Sequence, residues 1–178
     1  MPTHLIIDGY NLLGVRGQVG RTDGRGGEAA RDQLVRDLVL YRQRKGHAIT
    51  VVFDGWQQGF ATGHREHRSG IEVVFSPRGQ RADQVIQRLA EEYAADCAVV
   101  SSDHEVSNFA RGCGAFVITA AEFEAKLRDG GPARPSGMRT SDKDREEDRV
   151  LPRRPDKKGN PRKLPKAVRQ RNRGLRGF

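Results

Sequence analysis

Three apolar runs in this 178-residue chain each finish on an aspartate: Leu5-Ile6-Ile7-Asp8, Val51-Val52-Phe53-Asp54 and Val99-Val100-Ser101-Ser102-Asp103. Short aliphatic runs read as buried strands of a parallel sheet, and in open α/β sheets ligands bind in the crevice beyond the carboxyl ends of the strands. The three aspartates would meet there. Carboxylates at close quarters repel unless one takes up a proton or a cation lies between them, and oxygen-only ligands suit Mg²⁺ or Mn²⁺. Residue type and placement therefore point first to a hard-metal site.

The elements that must position these acids alternate along the chain. Residues 5–8 read as a first strand, followed by a mobile basic loop from Gly14 to Gly27. A helix from Glu28 to Lys45 sets Leu34, Val35, Leu38, Val39 and Tyr41 along one side, with Gly46 as its C′ residue. Strands follow at 48–53 and 71–75, with 55–70 read as loop because its aromatic and basic residues show no period. A further helix starts at Asp83 and turns Val85, Ile86, Leu89 and Tyr93 to the core. A fourth strand, 97–101, leads into Ser102-Asp103-His104-Glu105, a capping-box pattern that sets Asp103 in the first helical turn. A fifth strand, 115–118, precedes a second such pattern, Thr119 to Glu122, and a last helix to Arg128. Strand–helix alternation of this kind implies a three-layer α/β domain with right-handed crossovers.

Charge divides the chain in two. Residues 1–130 hold 16 Lys and Arg against 17 Asp and Glu; residues 131–178 hold 16 against 6, which accounts for the formal net charge of +9. The C-terminal part is also rich in proline and poor in apolar residues, a composition that cannot build a core and predicts disorder, with 166–173 able to become helical on an anionic surface. The expected division is a domain over 1–128 and a basic tail over 129–178. No run approaches the roughly 20 apolar residues of a membrane span, and no signal pattern opens the chain, so a cytoplasmic protein without membrane contact is expected. Cys97 and Cys113 match no zinc spacing and are read as buried, reduced thiols.

The run Ile7-Asp8-Gly9-Tyr10-Asn11 resembles the opening motif of NYN domains, specifically the YacP-like branch of the PIN-like nucleases. Val51-Val52-Phe53-Asp54-Gly55, Ile71-Glu72-Val73-Val74-Phe75, Arg81-Ala82-Asp83 and Val99-Val100-Ser101-Ser102-Asp103 match further family motifs in the same order over residues 3–127. The resemblance implies a PIN-like three-layer α/β/α domain with a central, mainly parallel sheet, and a metal-dependent endoribonuclease acting in association with the ribosome. Carried over by position, Asp8 and Asp83 match the leading acidic residues, Asp103 a further ligand, and Asn11 the motif's asparagine, which would orient a ligand or scissile phosphate. Asp54 lines the same crevice as a metal ligand or just behind one, and Glu28 falls where the family carries an acid. Mg²⁺ or Mn²⁺ is the implied cofactor and RNA, not DNA, the implied partner.

Each acid also has a structural reading: Asp83 as an N-cap, Asp103 as a partner of the helix dipole, Asp54-Gly55 as a turn pair, Asn11 as a cap or left-handed turn residue. Asp8, between an apolar strand and a Gly-Tyr-Asn turn, has no obvious structural duty. His64 and His67 lack the second pair a zinc site needs and are read as exposed. The glycines of the 14–27 loop lack the Gly-Lys-Ser/Thr ending of a phosphate loop. Candidate phosphate contacts are Arg16, Arg21, Arg25, Arg78 and Arg81 in the domain, and Lys157, Lys158, Arg162, Lys163, Lys166, Arg169, Arg171 and Arg173 in the tail; a solvated face is the alternative. Two other function classes stay open: a nonenzymatic RNA- or ribosome-binding adaptor on the same fold, and a small-molecule phosphohydrolase or nucleotide binder. Bare carboxylates in the crevice count against the adaptor, and the basic tail against the small-molecule enzyme.

Overall fold

The computed structural model describes residues 4–18, 25–55 and 62–129. Within them the chain runs β1 (His4–Asp8), α1 (Gly9–Val15), α2 (Arg25–Lys45), β2 (Ala48–Phe53), β3 (His64–Arg68), β4 (Ile71–Phe75), α3 (Ala82–Tyr93), a 3₁₀ turn (Ala94–Asp96), β5 (Cys97–Val100), α4 (His104–Gly112), β6 (Phe116–Ile118) and α5 (Ala120–Asp129). The sheet order is β3-β4-β2-β1-β5-β6, and every pairing is parallel except β3 with β4. This is the expected mainly parallel α/β sheet.

Side-chain alternation sorts the strands' residues between two layers. Leu5, Ile7, Ile49, Val51, Phe53, Ile71, Val73, Ala98 and Val100 pack under α1, α2 and α5, where Leu12, Leu34, Leu38, Tyr41, Phe123 and Leu127 meet them. Ile6, Val52, Val74, Val99 and Val117 face the other way, onto Val85, Ile86 and Leu89 of α3 and Val106 and Ala110 of α4. Continued past the strand ends, this parity sends Asp8, Asp54 and Ser101 toward the α3–α4 layer. The chain builds outward from β1 through β2 to β4, then crosses back through α3 to β5 on the other side of β1. The order reverses between β1 and β5, the kind of switch point at which open sheets bind ligands.

Five local expectations are corrected. The residues after β1 do not form loop at once: Gly9–Val15 is helical, and α2 begins at Arg25 instead of Glu28. Gly9 permits the first turn, because a Cβ there would lie 2.2 Å from the Phe53 ring. Residues 64–68 are a strand, not loop; it pairs antiparallel with β4 through the Ser69-Gly70 turn, whose φ values of 50° and 83° suit a tight hairpin. Its sequence, His-Arg-Glu-His-Arg, hides it from apolar periodicity because an edge strand is held by backbone pairing and carries charge outward. α3 opens at Ala82, not Asp83, and α4 is capped by Asp103 itself, not Ser102. The second capping box is as expected, with Thr119 and Glu122 bonding each other's backbone N–H groups.

Arg16 is the clearest departure among the expected phosphate contacts. It follows α1 and turns inward, donating through Nε to Glu124 of α5 at 2.7 Å and through Nη1 to Asp37 of α2 at 2.7 Å. Its guanidinium is thereby committed to internal carboxylates rather than presented to RNA. Glu124 is buried and its other oxygen accepts from Arg128 Nε at 2.9 Å, so losing Arg16 leaves one buried carboxylate oxygen without its charged donor, a loss of about 2 kcal/mol. Arg16→Ala should therefore lower the unfolding free energy from urea titration by that order, whereas Arg78→Ala on an exposed loop should change it by no more than about 0.5 kcal/mol. Equal midpoints for the two variants would show that the α1–α2–α5 ion cluster does not hold the fold.

Candidate active site

Asp8 is the last residue of β1 and the N-cap of α1. Its Oδ1 accepts the Asn11 backbone N–H at 3.0 Å and its Oδ2 accepts the Ser101 hydroxyl at 3.2 Å. The residue is only 7% exposed. Burial raises its carboxyl pKa to about 6; the Asn11 and Ser101 hydrogen bonds pull the other way, and the charges of Asp83 and Asp54 raise it further. A group with this profile, in a crevice at a switch point, is a functional candidate on physical grounds.

Ser101 links two of the acids. Besides donating to Asp8, its Oγ accepts the Asp103 N–H at 3.1 Å. Sequence reasoning passed over it as the end of a strand; its signal was the strand parity shared with Val99 and Cys97, which aims it to the same side as Asp8. Asn11 does not face outward with its carbonyl: its Oδ1 accepts the Ser102 N–H at 3.0 Å, tying the turn after β1 to the turn after β5. Ser102 in turn accepts the Ala120 N–H at the start of α5. The strand-end turns are thus bonded to one another across the sheet.

Asp103, whose structural alternative was to complement the helix dipole, is itself the cap of α4, its Oδ1 accepting the N–H groups of Glu105 at 2.8 Å and Val106 at 3.1 Å. For Asp83 the outcome is the reverse. The N-cap of α3 is Arg81, whose side chain makes no capping bond, and Asp83 sits inside the first turn, partly exposed, 3.5 Å from the Arg81 guanidinium. Its pKa is raised first by desolvation; Arg81 lowers it, and Asp103, Asp54 and Glu105 raise it. Asp54, just past β2, accepts the Ala82 N–H at 2.7 Å and the Ser76 hydroxyl at 3.4 Å.

Asp8, Asp54, Asp83 and Asp103, the four expected acids, therefore share one electrostatic neighbourhood, joined by Glu105, which sequence reasoning had placed in a capping box. No three Asp, Glu, His or Cys side chains converge into a closed ligand set among the described residues. The donors are all carboxylate, hydroxyl or carbonyl oxygens, and an ion held by one or two carboxylates and several waters is the usual Mg²⁺ arrangement. The residues present thus fit a hydrated Mg²⁺ or Mn²⁺, and do not fit a zinc centre.

Arg78 and Arg81 are exposed on the β4–α3 loop immediately before Asp83, as the sequence placed them. Glu28 lies elsewhere: with Arg31, Asp32, Phe53, Glu66, Arg68 and Phe75 it lines a cleft of about 40 Å³ on the α2 side of the sheet. His64 and His67 are exposed on β3. Arg21 and all the tail residues from Lys157 to Arg173, with the helix anticipated over 166–173, lie outside the described residues, as does the side chain of Arg25. No helix among the described residues is long and apolar enough to cross a membrane.

Comparison with known proteins identifies the family and the fold. Residues 5–158 match the YacP-like NYN domain, a span that continues past α5 into the basic tail. The chain is 31% identical over 123 residues to the uncharacterized protein YacP of Bacillus subtilis (strain 168), covering 67% of this chain and 71% of that one. Two crystal structures of Rae1 (YacP) from Bacillus subtilis superpose at 27% identity. The W164L mutant gives a TM-score of 0.61 over 73% of this chain and 77% of its own, and the other gives 0.59 over 71% and 74%. With its mainly parallel sheet, its acids gathered at the strand ends and a match over most of its length, the chain belongs to the YacP-like NYN domain family, whose fold is that of the PIN-like nucleases.

Proposed function

We propose that the protein is a divalent-metal-dependent endoribonuclease that hydrolyses RNA phosphodiesters in the cytoplasm, in association with the ribosome. The observation that carries this reading is Asp8: a buried carboxylate at the switch point, its proton affinity raised by burial and by the charges of Asp83 and Asp54, which a neighbouring cation would lower. Asp8 and Asp83, with Asp103 beside them, would hold Mg²⁺ or Mn²⁺, which when bound supplies a Lewis acid for the phosphodiester and a site where water ionises near neutral pH. Ser101 fixes the rotamer of Asp8 by its hydrogen bond to Oδ2. Its own hydroxyl is fully buried and engaged at both donor and acceptor positions, so it is no nucleophile, and water is the attacking group this site favours. Arg78 and Arg81 stand where they can bind phosphates flanking the scissile one. The basic tail supplies affinity for RNA or the ribosome that a domain of balanced charge lacks.

The test is incubation of RNA and of ribosomes with wild type, Asp8→Asn and Asp83→Asn in Mg²⁺, Mn²⁺ or EDTA. Each substitution should lower cleavage by roughly 10²-fold or more, since it removes ligand charge and the transition-state stabilisation that depends on it. Wild-type rates in both variants, in preparations free of contaminating nuclease, would reject the assignment. RNA binding without metal-dependent cleavage by the wild type would point to the adaptor reading.

Asp8→Asn should also change stability in a pH-dependent way. The folded carboxyl has its pKa raised to about 6 from an ordinary 3.8, so the folded state binds the proton more tightly than the unfolded one. Stability contributed by that proton is complete below about pH 4 and is lost as pH rises through about 6. Without metal, Asp8→Asn should therefore exceed wild type in stability at pH 7.5, by up to about 3 kcal/mol for a shift of two units, and the gap should close toward pH 4. Denaturant titrations at the two pH values, in EDTA, measure it; a gap that widens on acidification would contradict the buried-carboxylate picture.

The tail prediction follows from the charge division. Truncation after Asp129 should leave the fold and the metal-dependent cleavage of a short RNA at saturating enzyme intact. Binding of long RNA or ribosomes should weaken, with a shallower dependence of log K on log salt because fewer counterions are released. Identical affinity and slope for the full and truncated chains would remove the tail from RNA binding.

A further inference from the structure

We infer that Asp54 is a positioning residue: through Oδ1 it sets the start of α3, and hence the place of Asp83, from across the sheet. This rests on the nuclease reading for its functional consequence, but not for its geometry. The first turn of α3 lacks the usual local cap, since Arg81 occupies the N-cap position with no side-chain bond to the helix. An uncapped first turn leaves N–H groups unsatisfied, which in a helix pressed against a sheet is a cost to be met from elsewhere. The Oδ1 of Asp54 meets it, accepting the N–H of Ala82, the first residue of α3, at 2.7 Å. Asp83 is the next residue along.

The β2 end that carries Asp54 is itself clamped to the β4 end. Ser76 donates its N–H to the Phe53 carbonyl at 2.9 Å, and its hydroxyl accepts the Gly55 N–H at 3.2 Å while lying 3.4 Å from the Asp54 Oδ1. A Cβ on Gly55 would fall 2.0 Å from the Ser76 carbonyl oxygen, so the two turns pack backbone to backbone and glycine is required. The β4–α3 loop departs from Ser76 and returns at Ala82 to Asp54, so both ends of the loop bearing Arg78 and Arg81 are fastened to one rigid corner. Oδ1 of Asp54 thus serves Ala82 and Ser76 together, and the positioning duty rests on that one oxygen.

Asparagine at this position keeps the Oδ1 acceptor and removes the charge, which separates positioning from ligation. Asp54→Asn should restore α3 exchange to the wild-type rate and lower Mn²⁺ affinity far less than Asp8→Asn does, since it removes a neighbouring charge and keeps the acceptor. Asp54→Ala should speed amide exchange in the first turn of α3 by roughly tenfold, the effect of a lost cap, and reduce cleavage by at least that factor as Asp83 is displaced. Ser76→Ala should produce a smaller acceleration at the same amides. The measurements are NMR hydrogen exchange across 82–86, Mn²⁺ titration by paramagnetic resonance, and cleavage rate against metal concentration, with Asp8→Asn as the reference for a lost ligand. The inference is overturned if Asp54→Asn loses Mn²⁺ affinity as Asp8→Asn does, or if Asp54→Ala leaves α3 exchange unchanged. The exchange and Mn²⁺ readouts do not depend on RNA, so accelerated α3 exchange in Asp54→Ala, restored in Asp54→Asn, supports the inference even where the wild type itself cuts no RNA.

Discussion

A buried carboxylate is the constraint around which the rest is arranged. Asp8 is carried into the protein by three fully buried residues of β1, and a charge so placed is costly unless hydrogen bonds or opposite charge offset it. Two hydrogen bonds reach it, from the Asn11 backbone and the Ser101 hydroxyl, and they come from both sides of the switch point. Yet its proton affinity stays raised, because Asp54 and Asp83 add negative charge to what burial already imposes. Packing alone would not retain that combination, since an asparagine or serine would fill the space at less cost. The site is therefore under electrostatic strain that a cation would relieve, and this is the physical content of the metal reading.

The strain is partly offset within the fold. Asp8 caps α1, Asp54 bonds the first N–H of α3 and Asp103 caps α4, each through Oδ1. Three helix N-termini thus point their partial positive charge at the crevice where the carboxylates meet. The structural and functional readings of these acids are consequently not rivals: one oxygen satisfies a helix while the charge as a whole shapes the crevice. Asp83 differs. It caps nothing and its ion pair with Arg81 is long, so its structural contribution is confined to a negative charge in the first turn of α3, where it complements the helix dipole.

How much of this was legible in the sequence follows from which interactions write themselves into local pattern. β1, β2 and β5 are apolar runs because both faces of a parallel strand are buried, and the acids that follow them could be read directly; β4 shows the same pattern broken only at Glu72. The face to which those acids turn was equally available from the alternation of two, although only the paired cores make it visible. β3 was missed because an edge strand of charged residues carries no apolar signal, and α1 because a seven-residue helix opening on Gly-Tyr-Asn has no room to show a period. Arg16 was misplaced for a different reason: its partners, Asp37 and Glu124, are distant in sequence, and nothing local distinguishes an arginine bound for an internal ion cluster from one on a basic loop.

The same distinction separates the residues that make contacts from the residues that set positions. Ser101, Ser76 and Asn11 act through hydrogen bonds to segments 21 to 93 residues away, bonds that exist only once the sheet has brought the strand ends together. Such residues are short, polar and placed in turns, the composition any loop would show, so no periodicity or charge pattern marks them. The acids are conspicuous because a charge after a buried strand contradicts its surroundings; the groups that hold them conform to theirs. In a site of this kind the sequence therefore reveals the chemistry before the geometry. What the structure adds is the cross-strand bonding from Asn11 to Ser102, from Ser101 to Asp8 and from Asp54 to Ala82, which turns four separated aspartates into one crevice.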